Sequence, residues 1–272
     1  MKYRMIVSDF DGTLLRSDNT VSAATRRAIA AFIAAGGIFT VSTGRNYPSI
    51  KRRIPDVGLE KLDIPVMSLQ GSFAVNNLTG EEIFAEFIDK NVLAEFCELC
   101  RRDGIYVHIY NKYEVFTERK DAHSQEYERL TSVEVKEVGD LSRFISENDG
   151  FIKALAVCDG GKSDYYASKW GEAMRGKASV LTTAPDFAEC IPLSSGKGPG
   201  LARVAKMLGI DVSGVIAVGD EMNDVGMIET AGLGVAVANA KPRVKEAADY
   251  ITASNDEDGI CRLIEKFCPE VL

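Results

Sequence analysis

Asp9 and Asp11 stand two residues apart at the end of a short apolar run, in Met5-Ile6-Val7-Ser8-Asp9-Phe10-Asp11-Gly12-Thr13. Carboxylates this close repel unless a cation lies between them or one is protonated. Either arrangement is chemically useful. The first is a site for a hard cation such as Mg²⁺; the second sets a nucleophile beside a general acid. The run Met5-Ile6-Val7 has the character of a buried parallel strand. Residues i and i+2 of a strand share a face, so both acids can point to the carboxyl end of a sheet. Open α/β sheets bind their ligands at that edge. Gly12 permits a close approach of backbone or ligand. Alone, Asp-x-Asp also describes two solvated loop residues, so the rest of the chain must decide.

Three further polar clusters fall at or beside the ends of apolar runs. They are Thr43-Gly44-Arg45, Lys197, and Gly219-Asp220-Glu221-Met222-Asn223-Asp224. Each has an ordinary reading by itself. Thr43 could cap a helix, Lys197 could be solvated in a Gly/Ser loop, and Asp220 and Asp224 could be turn and cap residues. In a parallel sheet, however, all these ends converge on one edge, and four such clusters in this order are hard to produce by chance. The run Lys51-Arg52-Arg53 reads as a solvated helix face.

The elements that must position these residues follow from periodicity and caps. Ser22 is a good N-cap for a helix over 23–35, and Gly36-Gly37 stops it. Residues 38–41 and 65–69 read as further buried strands, and a hairpin is expected over 73–88 around Asn77-Leu78-Thr79-Gly80. Helices are expected near 91–103, 121–130, 140–147 and 163–175, with strands at 106–110, 114–117, 152–158 and 179–183. From Gly198 a βαβ rhythm returns, with helices at 199–208, 222–229 and 243–248 and strands at 215–218 and 234–237. The pattern predicts an α/β fold. Residues 1–83 and 189–272 form a Rossmann-like parallel-sheet core, and 84–188 form an inserted α+β domain.

Composition narrows the class. The chain has 272 residues, 46% apolar and 26% charged, with a formal net charge of −8. This argues against a nucleic-acid partner, which needs a basic face. An anionic ligand would have to be held by local cations or a metal, because the global field repels it. No apolar run approaches the roughly 20 residues needed to span a bilayer, and the N-terminal residues show no apolar leader. A cytoplasmic protein with no membrane partner is expected. The cysteines at 97, 100, 158, 190, 261 and 268 are scattered. Cys97 and Cys100 share one helix face, as buried thiols on an apolar stripe. Asn77-Leu78-Thr79 matches a glycosylation sequon that such a protein would not use.

The order and types of the four clusters resemble the haloacid dehalogenase superfamily, most closely its Cof-type sugar-phosphatase branch with a type IIB α/β cap. The resemblance covers essentially the whole chain, and Asp-x-Asp-Gly-Thr with Gly-Asp-x-x-Asn-Asp are specific motifs in combination. It implies that Asp9 is a nucleophile and Asp11 a general acid/base. It implies Mg²⁺ held by Asp9, the main-chain carbonyl of Asp11 and Asp220, with Asp224 acting through water or from behind. Thr43, Gly44 and Lys197 would cradle phosphate, Asn223 would orient Lys197 or the phosphate, and Arg45 would touch substrate or cap. The implied partner is a small phosphorylated metabolite, such as a sugar phosphate. The implied activity is a Mg²⁺-dependent phosphatase; a phosphomutase and a non-catalytic phospho-ligand-binding regulator are the alternatives. His108, Tyr110 and Tyr113 are candidate cap contacts. Two segments depart from the family pattern. Gln70-Gly71-Ser72 stands where many relatives have Asn-Gly-Ala, and Pro192-Leu193-Ser194-Ser195-Gly196 is richer in glycine and serine than usual.

Overall fold

The strand β1 (Met5–Ser8) is buried along its whole length, as an apolar run between two parallel neighbours must be. In a computed structural model that describes Met1–Leu272, it lies between β2 (Ile38–Ser42) and β12 (Val215–Gly219). It runs parallel to both, with Met5 opposite Ile38 and Val215. The sheet continues through β3 (Pro65–Ser68), β4 (Phe73–Asn76), β5 (Glu82–Ala85), β13 (Leu233–Ala236) and β14 (Tyr250–Ile251). Its order is β14-β13-β12-β1-β2-β3-β4-β5, parallel from β14 to β3 with β4 antiparallel to β3. Chain order reverses between β1 and β12, which is the switch point where such sheets bind ligands.

Helices cover both faces. The helix α1 (Ala23–Ala34) is capped by Ser22, whose Oγ accepts from the Thr25 N–H at 3.0 Å. It packs with α10 (Gly259–Phe267), an element the sequence reading did not anticipate. On the other face, Met5 and Val7 pack with Leu201, Val204 and Ala205 of α7 (Lys197–Met207) and with Met227 of α8 (Val225–Thr230). The expected helix from 199 thus begins two residues earlier, so that Lys197 is its first residue and is buried rather than looped.

The second sheet has the order β10-β11-β9-β6-β7-β8. Its strands are β6 (Tyr106–Tyr110), β7 (Val115–Thr117), β8 (Val135–Glu137), β9 (Lys153–Val157), β10 (Ala178–Ala184) and β11 (Phe187–Pro192). One face packs against α3 (Lys90–Arg102), α5 (Leu141–Glu147) and α6 (Ser163–Ala173) through Leu93, Phe96, Ile145 and Trp170. The remaining helices are α2 (Tyr47–Arg53), α4 (Ala122–Thr131) and α9 (Pro242–Ala247). Within α4, Tyr127 stands edge-on to His108, with ring centroids 4.9 Å apart. All six cysteines are free and buried. Burial pushes the Cys97 thiol up to about 12 and those of Cys158 and Cys268 to about 11, which makes them inert core side chains.

The chain divides into two compact units. One comprises Met1–Gly44, Lys51–Phe84 and Gly196–Leu272, and the other Arg45–Ile50 and Ala85–Ser195. The inserted unit reaches Ser195 rather than 188, because β11 pairs with β9 and with β10 as far as Pro192. It also takes in Arg45–Ile50, a segment whose sequence neighbours both belong to the first unit.

His108 is fully buried on β6, and neither ring nitrogen has a hydrogen-bond partner. Burial is the main reason that its pKa falls from 6.5 to about 4. In the unfolded chain the imidazole takes up its proton near pH 6.5; in the folded chain it resists until about pH 4. Stability is therefore full above the higher value and declines as pH falls towards the lower. At ~1.4 kcal/mol per pKa unit the whole loss is about 3 kcal/mol. Urea midpoints measured between about pH 7 and about pH 5 should fall more steeply for the wild type than for His108→Gln. Equal slopes would remove His108 as a cause of acid sensitivity.

Candidate active site

Asp9 follows β1 directly with extended backbone, φ −60° and ψ 160°. Its N–H donates to the Val218 carbonyl at 2.8 Å, which ties it to the end of β12, where Asp220 begins the next loop. Gly12 has φ +78°, and a Cβ there would lie 2.6 Å from Asp220 Oδ2. Only glycine lets the loop after Asp11 come so near that carboxylate. Thr13 Oγ1 donates to Asp220 Oδ1 at 2.6 Å, and Asn239 Nδ2 donates to the Gly12 carbonyl at 2.8 Å. At the end of β2, the Thr43 N–H donates to the Met67 carbonyl at 2.9 Å, and the Thr43 carbonyl accepts from the Gln70 N–H at 3.1 Å.

Asp9, Asp220 and Asp224 are all buried, and each offers a carboxylate oxygen within 4.8 Å of the others. Into this group Lys197 sends a buried ammonium, 2.5 Å from Asp9 Oδ1 and 2.6 Å from Asp224 Oδ1. Asp224 Oδ2 accepts from the Asp220 and Glu221 N–H groups, each at 3.0 Å. Both oxygens of Asp224 are thus engaged, and it is a fixed anchor for the lysine and the loop. Burial raises the Asp9 carboxyl well above its usual range; the nearby Asp224 and Asp220 charges add to this, and Lys197 opposes it. Burial, with Asp224 and Glu221, likewise lifts Asp220 to about 6 against the Thr13 hydrogen bond. Burial works against the Lys197 ammonium, but Asp224 and Asp9 outweigh it and hold its pKa above the ordinary value. One ammonium faces three carboxylates, so the site carries more acid than base. Its oxygen donors fit a small hard divalent cation, which would relieve that excess.

The structure brings together Asp9, Asp220, Asp224 and Lys197 from three separate stretches of chain. Asn223 is held beside them, its Nδ2 donating to Gln70 Oε1 at 2.9 Å. Asp11 is partly exposed, and its carboxylate lies outside the close triad of Asp9, Asp220 and Asp224. The physical reason is that β1 ends at Ser8 and a helical turn opens at Phe10, so the strand alternation that would set Asp9 and Asp11 on one face does not continue between them. Arg45 belongs to the second unit, where its Nη1 donates to Ser49 Oγ at 3.3 Å. Three residues were not singled out for a role by sequence reasoning: Thr13, Gln70 and Asn239. Thr13 sits inside the first motif and Gln70 inside a noted departure from the family pattern, so both carried a signal. Asn239 carried none.

The chain matches the family model of haloacid dehalogenase-like hydrolases over residues 6–264. It is 27% identical over 285 residues to the 5-amino-6-(5-phospho-D-ribitylamino)uracil phosphatase YwtE of Bacillus subtilis, covering 97% of each chain. It is 29% identical over 262 residues to YcsE, a phosphatase of the same name from that organism, covering 96% of this chain and 94% of the other. Among solved structures, a haloacid dehalogenase-like hydrolase from Bacteroides thetaiotaomicron superposes with a TM-score of 0.83 at 30% identity. That match covers 97% of this chain and 99% of the other.

Deleting one member of a buried ion pair destabilises by about 3–5 kcal/mol, because the partner charge is left uncompensated. Lys197→Met strips the ammonium from three buried acids. It should lower the urea midpoint by an amount in that range, and adding Asp224→Asn should restore part of the loss. Superimposable unfolding curves for wild type and Lys197→Met would show that the pair contributes nothing to stability.

Proposed function

The chain belongs to the haloacid dehalogenase-like hydrolases, in their Cof-type branch, and we propose that it is a Mg²⁺-dependent phosphatase of small phosphorylated metabolites such as sugar phosphates. The observation that carries this reading is the buried Lys197 ammonium, bonded to Asp9 and Asp224 at the switch point of the sheet. A buried carboxylate beside a fixed cation suits attack on a phosphoryl group, whose charge must be stabilised as it transfers. The two Bacillus subtilis relatives are named for a phosphate ester of a ribityl chain, a small polyol phosphate, which supports the substrate class.

In this reading the Asp9 carboxylate attacks phosphorus while the bond to the leaving oxygen breaks. Asp11, as the acid, gives its proton to the departing alkoxide. Asp11 lies outside the triad and is partly exposed, which leaves it room to meet a leaving group. Water then attacks the aspartyl-phosphate, Asp11 takes the water's proton, and inorganic phosphate departs from Asp9. The Thr43 hydroxyl, the Gly44 N–H and Lys197 hold the phosphoryl oxygens, and Asn223 orients them. Asp9, Asp220 and the Asp11 carbonyl would hold Mg²⁺, with Asp224 behind them. When bound, the ion supplies charge neutralisation at the phosphoryl oxygens.

Hydrolysis of p-nitrophenyl phosphate and a panel of sugar and polyol phosphates tests the assignment. Activity should be lost in excess EDTA, and Asp9→Asn should lose at least about 10³-fold in kcat with the fold retained. Full turnover without divalent cations, or by Asp9→Asn, would overturn the reading. Asp11 has its own test. A sugar alkoxide needs a proton to leave, whereas p-nitrophenolate scarcely does. Single-turnover release by Asp11→Asn should therefore fall about 10²–10⁴-fold on a sugar phosphate and far less on the nitrophenyl ester. Equal losses on the two esters would take Asp11 out of the acid role.

A further inference from the structure

Three consecutive residues after β3 have left-handed backbone: Leu69, Gln70 and Gly71, with φ of 51°, 60° and 72°. Glycine enters that region freely, and Asn and Asp several-fold more readily than other side chains. Glutamine has no such ease. A residue held in a sparsely populated conformation persists only where its surroundings over-determine it, and such positions gather at functional sites.

The surroundings of Gln70 are specific. The side chain is buried, at 2% exposure. Its N–H donates to the Thr43 carbonyl at 3.1 Å. Its Oε1 accepts from Asn223 Nδ2 at 2.9 Å. Its Nε2 lies against Gly44, where a Cβ would come within 2.4 Å of it. One residue therefore touches Thr43, Gly44 and Asn223. The same turn seats the helix that begins at Lys197. A Cβ on Gly71 would meet the Gly196 carbonyl oxygen at 2.5 Å, and one on Gly200 would meet the Gly71 carbonyl oxygen at 2.9 Å. Backbone packed this closely leaves α7 no freedom to shift against the turn.

Asn223 has one polar atom still to place. Its Oδ1 is buried without a hydrogen-bond partner. With Nδ2 committed to Gln70, the amide cannot turn over, so its acceptor end is fixed relative to the loop of Asp220 and Asp224. A shorter amide at position 70, more at ease in the backbone, would hold Asn223 less closely.

We propose that Gln70 is the positioning residue of the phosphate site: its amide sets the orientation of Asn223 and backs the Gly44 peptide, and that task keeps a glutamine where glycine or asparagine would sit more easily. This inference rests on the phosphate reading of the site given above.

The test uses the full chain with Mg²⁺, p-nitrophenyl phosphate as substrate and inorganic phosphate as inhibitor. Gln70→Gly relaxes the backbone and removes the amide. It should unfold within a few degrees of the wild type, while KM and the phosphate inhibition constant rise together by about tenfold and kcat changes less. Gln70→Asn should recover part of that loss. Gly44→Ala should displace the Gln70 amide and reproduce the same rise, yet add little in the Gln70→Gly background, because neighbours acting through one contact are not additive. Should Gln70→Gly not fold, Gln70→Asn and Gly44→Ala carry the comparison alone. Wild-type KM and phosphate inhibition in the Gln70 variants, or a Gly44→Ala effect that adds in full, would overturn the role of Gln70 and leave the phosphatase reading standing. A wild type that neither hydrolyses the ester nor binds phosphate would overturn that reading and the role of Gln70 with it.

Discussion

A buried ammonium shared between two carboxylates is the constraint around which the first unit is organised. Lys197 reaches Asp9 and Asp224 from the first turn of α7, and all three side chains are out of water. Removing such charges from solvent costs several kcal/mol per ion, and the mutual attraction offsets this only when the geometry is good and the remaining lone pairs are bonded. Asp224 meets that condition through two N–H groups of its own loop. Asp9 and Asp220 do not have their charge fully compensated, which is why burial raises both. The imbalance is a property suited to chemistry. A fully satisfied site would be stable and would have no reason to take up a cation or attack a phosphoryl group.

Holding that ammonium in place makes demands on the backbone far from it. The helix α7 must start at Lys197, and its first turns are packed against Gly71 at a separation that excludes any side chain on Gly71 or Gly200. Gly12 is required for a related reason, because the loop after Asp11 comes within contact of the Asp220 carboxylate. Thr13 and Asn239 then tie that loop to Asp220 and to the segment after β13. The polar contacts and the glycine contacts form one system: the first sets the charges, and the second sets how near the strands' ends may come.

The second unit holds a buried pair of its own. Lys153 on β9 and Glu189 on β11 are 2.8 Å apart, and the Lys153 ammonium lies 4.7 Å from the ring of Tyr110. His108 and Tyr127 complete a polar, aromatic face opposite the apolar one covered by α3, α5 and α6. The neutral imidazole of His108 is compatible with this setting, and its protonation is not. Of the residues weighed as contacts from the sequence, His108 and Tyr110 are thus interior, while Tyr113 is exposed in the turn between β6 and β7.

Much of this was legible in the chain itself. The apolar run before Asp9, the Ser22 cap, the alternation of helix and strand, and the polar clusters after β1, β2 and β12 are local patterns, and local patterns are set by side-chain spacing over a few residues. They were enough to single out Asp9, Lys197, Asp220 and Asp224 as residues that one sheet edge would gather. Tertiary structure decided what spacing cannot carry. It left the Asp11 carboxylate outside the close group of Asp9, Asp220 and Asp224, because β1 ends at Ser8 and the chain turns at Phe10. It extended the inserted unit to Ser195 through strand pairing, and it buried Lys197 as the start of a helix. It joined Gln70 to Asn223 across 153 positions of sequence. A motif states which chemical groups are present and in what order. Which of them touch is settled by the packing of strands and helices that are distant in the chain, and no short-range pattern records that packing.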